Sequence, residues 1–363
     1  MKRIKDYINN SNVSRFRFIV QILAFFLFVY GGYFFIHVGQ QLPTFACPYN
    51  AGSPGTCYLI AMQHGLHLTW EQLISYRGLA FFIGLLTFVG FFIIFNKSWC
   101  GFMCPLGTLQ DWITKVRKMT MTKFSRYDVL SFKRLKIIKY VLLILIVLIP
   151  LGMSNSFFGL PKISHEMSAP FCQICPGRTI LPLFSGDTSQ LFIDFRNPTT
   201  IIMSSLGMLI TALFFVGSFL KKRFFCFFCP MSALQFLFSR IGVLRLTKNG
   251  ENCTRCGNCY RVCDVGILGI AEDITSKNIV KDDCMMCFKC VEACPEENCL
   301  DVKVLNQKIF SSTEEGFFKR YGHNEDFINP DNDEMLNKKA EDMMLNRTAV
   351  VRLAIKEYCE VKQ

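Results

Sequence analysis

Histidine is scarce in this 363-residue chain, carboxylates are outnumbered, and charge of either sign is thin. The five histidines are His37, His64, His67, His165 and His323. None falls in the interior of a long apolar run, His37 lying at the end of the first, so the paired midplane ligands that a haem b would need are missing and no haem is expected. Charged residues make up 19% of the chain against 51% hydrophobic, with 37 Phe, which excludes an ordinary soluble domain. Acidic residues number 28 against 40 Lys and Arg, a formal net charge of +12. That excess is banded along the chain. Ten Lys or Arg fall between Lys97 and Lys139, opposed only by Asp111 and Asp128. Lys2, Arg3, Lys5, Arg15 and Arg17 precede the first apolar run, and Lys221, Lys222 and Arg223 follow the last. Such bands beside anionic headgroups account for the charge, so no nucleic-acid partner is expected.

Four runs are long and apolar enough to cross a bilayer, near residues 18–38, 78–95, 140–157 and 200–220. Pro150 interrupts the third, a break that neighbouring helices must accommodate. Arg77 is the only basic residue in 39–77, and 158–199 holds only Lys162, Arg178 and Arg196. The positive-inside rule therefore places both termini and the 96–139 loop in the cytoplasm of a bacterial or archaeal membrane protein.

Past the fourth run the chain reads "CTRCGNCYRVCD" (253–264) and then "CMMCFKCVEACP" (284–295). Both are C-x2-C-x2-C-x3-C, a spacing in which three thiolates hold one cubane and the fourth reaches the neighbouring cluster. The expected ligand sets are Cys253, Cys256, Cys259 and Cys294 for one [4Fe–4S] cluster, and Cys284, Cys287, Cys290 and Cys263 for the other. Asp264 stands straight after a fourth cysteine, and a carboxylate there is expected to lower the potential of the nearby cluster.

The apolar half repeats itself. "CGFMCPLGTLQDW" (100–112) aligns with "CFFCPMSALQFLF" (226–238), matching Cys104-Pro105 to Cys229-Pro230 and Leu109-Gln110 to Leu234-Gln235 at an offset of 125. "ACPYN" (46–50) aligns with "ICPGR" (174–178) at an offset of 128. Sulfur counted by side gives Cys100, Cys104, Cys226 and Cys229 inside, and Cys47, Cys57, Cys172 and Cys175 outside. Four thiolates suit a [4Fe–4S] cluster on each side. If the inner segments are helical, Cys100 and Cys104 share one face, as do Cys226 and Cys229. Zinc or isolated thiols are the rival readings for the inner set. For the outer set the rivals are disulfides Cys47–Cys57 and Cys172–Cys175, or a redox-active C-x-x-C pair. Cys299 and Cys359 are left over as plain thiols.

These features, "KSWCGFMCPLG", "RFFCFFCP" and the two terminal ferredoxin runs, resemble the NapH/NosR group of membrane-bound polyferredoxins over roughly residues 15–300. The inner motif of the second repeat, C-x2-C-P, departs from the C-x3-C-P usual in that group. The resemblance implies quinol oxidation and electron delivery to partner reductases, or electron supply to metalloenzyme assembly. The flavin domain that larger relatives carry before these helices is not expected here.

The expected architecture is an α-helical membrane protein of four transmembrane helices in a two-fold repeat, with a cytoplasmic α+β 2[4Fe–4S] ferredoxin-like domain. Its parts are an N-terminal segment 1–17, the membrane domain 18–245 (repeats about 18–125 and 137–245), the dicluster domain 246–303 and a charged tail 304–363 with a helix around 334–359. The expected function is electron transfer between the quinone pool or an extracytoplasmic partner and a cytoplasmic redox partner, alongside other redox subunits. An assembly or maturation factor, and a transmembrane thiol reductant using the outer C-x-x-C, are the alternatives. His64 and His67 share a helical face if 58–73 is helical, close in sequence to Cys57, which makes them candidates for a quinone site. One difficulty stands. A hydrocarbon core about 30 Å thick separates clusters held at the two surfaces, unless the loops that carry them dip inward or a partner bridges the gap.

Overall fold

The computed structural model describes residues 13–36, 39–44, 46–65, 70–119, 129–153, 169–239, 241–275, 278–280 and 284–321. The chain divides into two compact units, Ile19–Gly242 in one and Met1–Phe18 with Val243–Gln363 in the other.

The first unit is built on long apolar helices. Helix α1 (Val13–Tyr30) continues as a 3-10 turn to Phe34. Helix α2 (Tyr58–Gly65) is followed by α3 (Tyr76–Phe95), α4 (Pro105–Met119), α5 (Val129–Met153), α6 (Pro170–Ile174), α7 (Pro176–Phe184), α8 (Pro198–Leu220) and α9 (Pro230–Ser239). Among the described residues three spans are long and apolar enough to cross a membrane: Val13–Phe34, Tyr76–Phe95 and Pro198–Leu220. Leu23, Leu86 and Ile202 stand exposed on them, as side chains facing lipid do. The third expected run is helical through Pro150. The apolar part of α5, Ile137–Gly152, is shorter than the roughly 20 residues a span needs.

The core of this unit is aromatic. Phe28, Tyr58, Phe88, Phe92, Trp99 and Phe171 are buried together, and Cys57, Cys104, Cys175 and Cys229 pack against them. Tyr58 stacks flat on Phe88, with centroids 3.7 Å apart and rings 8° from parallel. At 1.5 Å per residue, Phe88 lies roughly 18 Å along α3, a helix about 30 Å long. The other loop reaches as deep. A Cβ on Gly207 would stand 2.9 Å from the carbonyl oxygen of Gln173, so glycine there lets α6 pack directly on α8. Gly207 is roughly 14 Å from the start of a helix about 35 Å long. Both cysteine-bearing loops therefore meet the middle thirds of long apolar helices.

The second unit carries a three-stranded antiparallel sheet of β3 (Leu244–Lys248), β4 (Leu300–Val304) and β5 (Gln307–Ser311), in the order β3–β4–β5; β1 (Gly39–Thr44) and β2 (Gly55–Cys57) form a parallel pair in the first unit. The pairing of Leu244 with Val304 and of Lys248 with Leu300 closes the two cysteine runs between β3 and β4. The sheet continues through β5, and a helix follows at Glu314–Tyr321, so ordered structure passes the expected boundary at 303/304. The helix expected around 334–359 lies outside the described residues.

Candidate metal centres

In the second unit each cysteine run wraps a one-turn helix, Asn258–Arg261 or Lys289–Glu292. The wrap needs left-handed backbone at matching places. Arg255 and Gly257 have φ of 57° and 78°, and Met286 and Phe288 have 48° and 59°. At Phe288 a bulky residue holds a conformation that glycine holds in the first run, strain that persists only where the surroundings enforce it. Cys256 and Cys259 lie within the electrostatic reach of Cys253 and Cys294, and Cys263 within that of Cys284 and Cys287. Cys290 neighbours Cys284, Cys287, Cys263 and also Cys259, so the two sets adjoin. Burial pushes the thiols of Cys256 and Cys263 up to about 12. Metal must therefore displace protons to bind them.

One expectation changes here. Asp264 is not a lone carboxylate beside a cluster. It is buried, with Lys289 Nζ at 2.5 Å and Arg17 at 3.8 Å, so its charge is compensated and the lowered potential does not follow. Cys299 is a free thiol, buried at 2% exposure, that donates to the Asn249 carbonyl at 3.7 Å and lies beside Cys253 and Cys294.

In the first unit the cysteines do not meet on helical faces as expected. Helix Ser98–Phe102 ends before Cys104, and Cys226 sits in a 3-10 turn, Phe224–Phe227. The device is the Cys-Pro step. Cys104, Cys175 and Cys229 each stand directly before the proline that opens α4, α7 or α9. Proline is suited to a first helical position because it has no N–H to lose. The free N–H groups of the first turn then point back at the sulfur. Cys104 receives those of Leu106 and Gly107, Cys175 those of Gly177 and Arg178, and Cys229 that of Ser232. Donors at that place stabilise thiolate, the form that binds metal.

Cys47, Cys57, Cys172 and Cys175 are mutual electrostatic neighbours. So are Cys100, Cys104, Cys226 and Cys229. The two sets are not at opposite ends of the unit. One cavity of about 110 Å³ is lined by all four of the first set and by Cys100, Cys104 and Cys229 of the second. A water needs roughly 10–15 Å³ by that measure. The remaining lining is largely hydrocarbon, from Leu59, Trp99, Leu106, Phe171 and Met231 among others. Cys57 is close enough to Cys104 for their charges to interact. All 17 described cysteines are free thiols, so the expected alternatives Cys47–Cys57 and Cys172–Cys175 are not bonded here. A single zinc holds sulfur at about 2.3 Å. Among the described residues no three Cys, His, Asp or Glu converge on one ion in that way. Thiols spread round a space fit a larger body such as a cubane.

Glutamines brace both sets. Cys100 donates to Gln235 Oε1 at 2.9 Å, and Gln110 Nε2 donates to Cys226 Sγ at 3.7 Å. Gln110 and Gln235 are the residues that align at the offset of 125, so each braces a cysteine of the other half. Gln63 donates to Cys172 Sγ at 3.5 Å and accepts from the Phe171 N–H at 3.2 Å. Arg223, 1% exposed, pairs with Asp111 at 2.5 Å and donates to the Cys100 carbonyl at 3.1 Å. The aligned positions on the other side bring Lys97 Nζ over the Phe236 ring, 5.2 Å from its centroid. These buried cations are fixed charges beside the Cys100 set.

Of the two histidine candidates, only His64 is among the described residues. His64 ends α2, is exposed and does not line the cavity. His37, His67, His165 and His323 lie outside the described residues. The bracing glutamines and the Cys-Pro helix starts were missed as functional features, although the repeated Leu-Gln after each inner Cys-Pro was their signal.

Similarity to known proteins bears on these sites. A model described as "4Fe-4S binding domain" matches twice, at residues 77–123 and 205–249, and one described as "4Fe-4S dicluster domain" matches residues 245–295. An uncharacterized protein of Methanocaldococcus jannaschii is 28% identical over 208 residues, 56% of this chain and 71% of its own. YccM of Escherichia coli is 26% identical over 234 residues, covering 62% of this chain and 58% of its own. The ferredoxin-type protein NapH of Escherichia coli is 28% identical over 125 residues, 31% of this chain and 44% of its own. No solved structure matches. The cysteine runs, the apolar helices and these matches define a membrane protein that binds [4Fe–4S] clusters. Within that class it is similar to polyferredoxin-like proteins of the NapH/NosR type.

Proposed function

We propose that this chain carries electrons through the membrane on four [4Fe–4S] clusters, two held by the ferredoxin runs and two by the Cys47 and Cys100 sets. It would pass them between the quinone pool or an extracytoplasmic partner and a cytoplasmic redox partner. The observation that carries the reading is the shared cavity. Two thiol sets on one space, against the middle thirds of α3 and α8, remove the gap that surface-held clusters would leave. Irregular backbone at membrane depth is tolerated where protein buries it, and the buried aromatic core does so here. The crossed bracing of Cys226 by Gln110 and of Cys100 by Gln235, with the paired family match, supports a two-fold repeat of four membrane helices. In this reading α5 is the fourth, its basic first half lying at the cytoplasmic surface with both termini.

The test is electron passage. Protein is reconstituted in liposomes enclosing ferricyanide, with dithionite supplied outside. Bleaching of the enclosed dye is expected with the intact chain and is expected to be lost in Cys104→Ser. Dye that stays oxidised with the iron-loaded wild type, or bleaching undiminished in Cys104→Ser, would refute the path.

A further inference from the structure

Arg223 is 1% exposed, and its hydrogen bonds reach a cysteine of each half of the first unit. Its Nε and Nη2 donate to the two carboxylate oxygens of Asp111 at 2.8 and 2.5 Å, a bidentate pair. The remaining nitrogen, Nη1, donates to the carbonyl of Cys100 at 3.1 Å. That carbonyl belongs to the five-residue helix Ser98–Phe102, whose last turn has no partners of its own to offer. The backbone of Arg223 carries the second tie. It holds the left-handed conformation, φ 53°, at the entrance to the 3-10 turn Phe224–Phe227, and its carbonyl accepts the N–H of Cys226 at 3.1 Å. A non-glycine residue persists in that conformation only where its surroundings enforce it.

The neighbours are arranged around the guanidinium. Gln21 of α1, 3% exposed, donates to Asp111 Oδ2 at 2.7 Å and to the carbonyl of Gly101 at 3.1 Å. The residue after Cys100 is thus tied to the carboxylate that holds Arg223. Gly107, in the first turn of α4, leaves the room. A Cβ there would collide with Arg223 Nη1 and stand 3.2 Å from the Cys100 carbonyl oxygen. Only one half carries this latch, because Asp111 aligns with Phe236 in the other. A planar fork is what reaches both carboxylate oxygens and a carbonyl at once.

We propose that Arg223 is the positioning residue that sets Cys100 and Cys226 at the spacing of one cluster, with its carbonyl on Cys226 and its guanidinium on Cys100. Asp111 and Gln21 aim the guanidinium, and Gly107 gives it space. Ligand sets hold their geometry only when supporting hydrogen bonds lock them, and here the two ligands come from separate halves of the chain. The proposal rests on the reading of the Cys100 set as a cluster site.

The experiment measures iron and reduced-state EPR on the anaerobically purified full-length protein, with the signal of the Cys100 set assigned beforehand through Cys104→Ser. Gly107→Ala is the sharper variant. The far end of the arginine can shift to clear the new methyl, so the Asp111 pair and the fold survive while the bond to Cys100 is lost. Iron is expected to fall from about 16 to about 12 per chain, with the signal of the Cys100 set gone and those of the ferredoxin sets unchanged. Arg223→Lys keeps a cation for Asp111 but has no fork to reach Cys100 as well, and is expected to lose the same four iron. An ion pair that serves the fold alone would be rescued by lysine. Full iron with an unaltered signal in either variant would overturn the proposal. So would loss of the ferredoxin iron along with the rest, which would make Arg223 a residue of general stability. About 8 iron in wild type would instead overturn the membrane clusters themselves.

Discussion

Cys172→Ser is expected to lower the iron content of anaerobically purified protein from about 16 to about 12 atoms per chain, the loss of one cubane. The other three clusters should remain. Cys172 is buried beside Cys57, Cys175 and Cys47 and is braced by Gln63, and none of its neighbours belongs to the ferredoxin unit. Its loss leaves three thiols of one set and all four of the next. An unchanged count would return Cys172 and Cys175 to the thiol or disulfide readings, and the electron path would then begin and end on the cytoplasmic side. Iron determination with EPR on reduced samples decides between them.

Gly207→Val is expected to have the same effect on iron from a position 35 residues away in sequence. The glycine lies in the middle of α8, where a Cβ would stand 2.9 Å from the Gln173 carbonyl oxygen. That neighbour is backbone, lying between Cys172 and Cys175 in the C-x-x-C step, and cannot rotate aside. Adding a branched side chain must push α6 off α8, at a cost of about 1–3 kcal/mol for overpacking, and take two ligands out of register. Valine is apolar and leaves the span as hydrophobic as before. Leu209→Val, at an exposed place on the same helix, serves as the control and should keep all its iron. A Gly207→Val protein with full iron and unaltered melting would mean that α6 does not rest on α8 at that depth.

Much of this was legible in the sequence because the chemistry repeats with the chain. The ferredoxin sets follow from spacing alone, since C-x2-C-x2-C-x3-C leaves the fourth sulfur facing away from its own cluster. The two groups of four membrane thiols followed from counting cysteines between apolar runs. What could not be read was depth. Hydropathy marks the spans, but a loop that folds back into the protein looks like any loop that stays outside, and only the contacts of Tyr58 with Phe88 and of Gln173 with Gly207 show where it goes. The helical faces expected for Cys100 and Cys104 failed for a local reason. Pro105 starts a new helix and leaves Cys104 at its mouth. Long-range pairing was equally hidden. Nothing local at Asp264 announces Arg17, nearly 250 residues earlier, and nothing at Cys299 announces Cys253.

Two clusters sharing one cavity should couple magnetically, and EPR reads that coupling directly. In a chain whose ferredoxin sets are disabled by Cys256→Ser and Cys287→Ser, the reduced protein should give an EPR spectrum split and broadened by interaction between the two remaining clusters. The splitting should collapse to a single uncoupled signal in Cys172→Ser and again in Cys104→Ser. Two independent signals that simply add, each lost with its own cysteine and indifferent to the other, would place the sets apart and contradict the account.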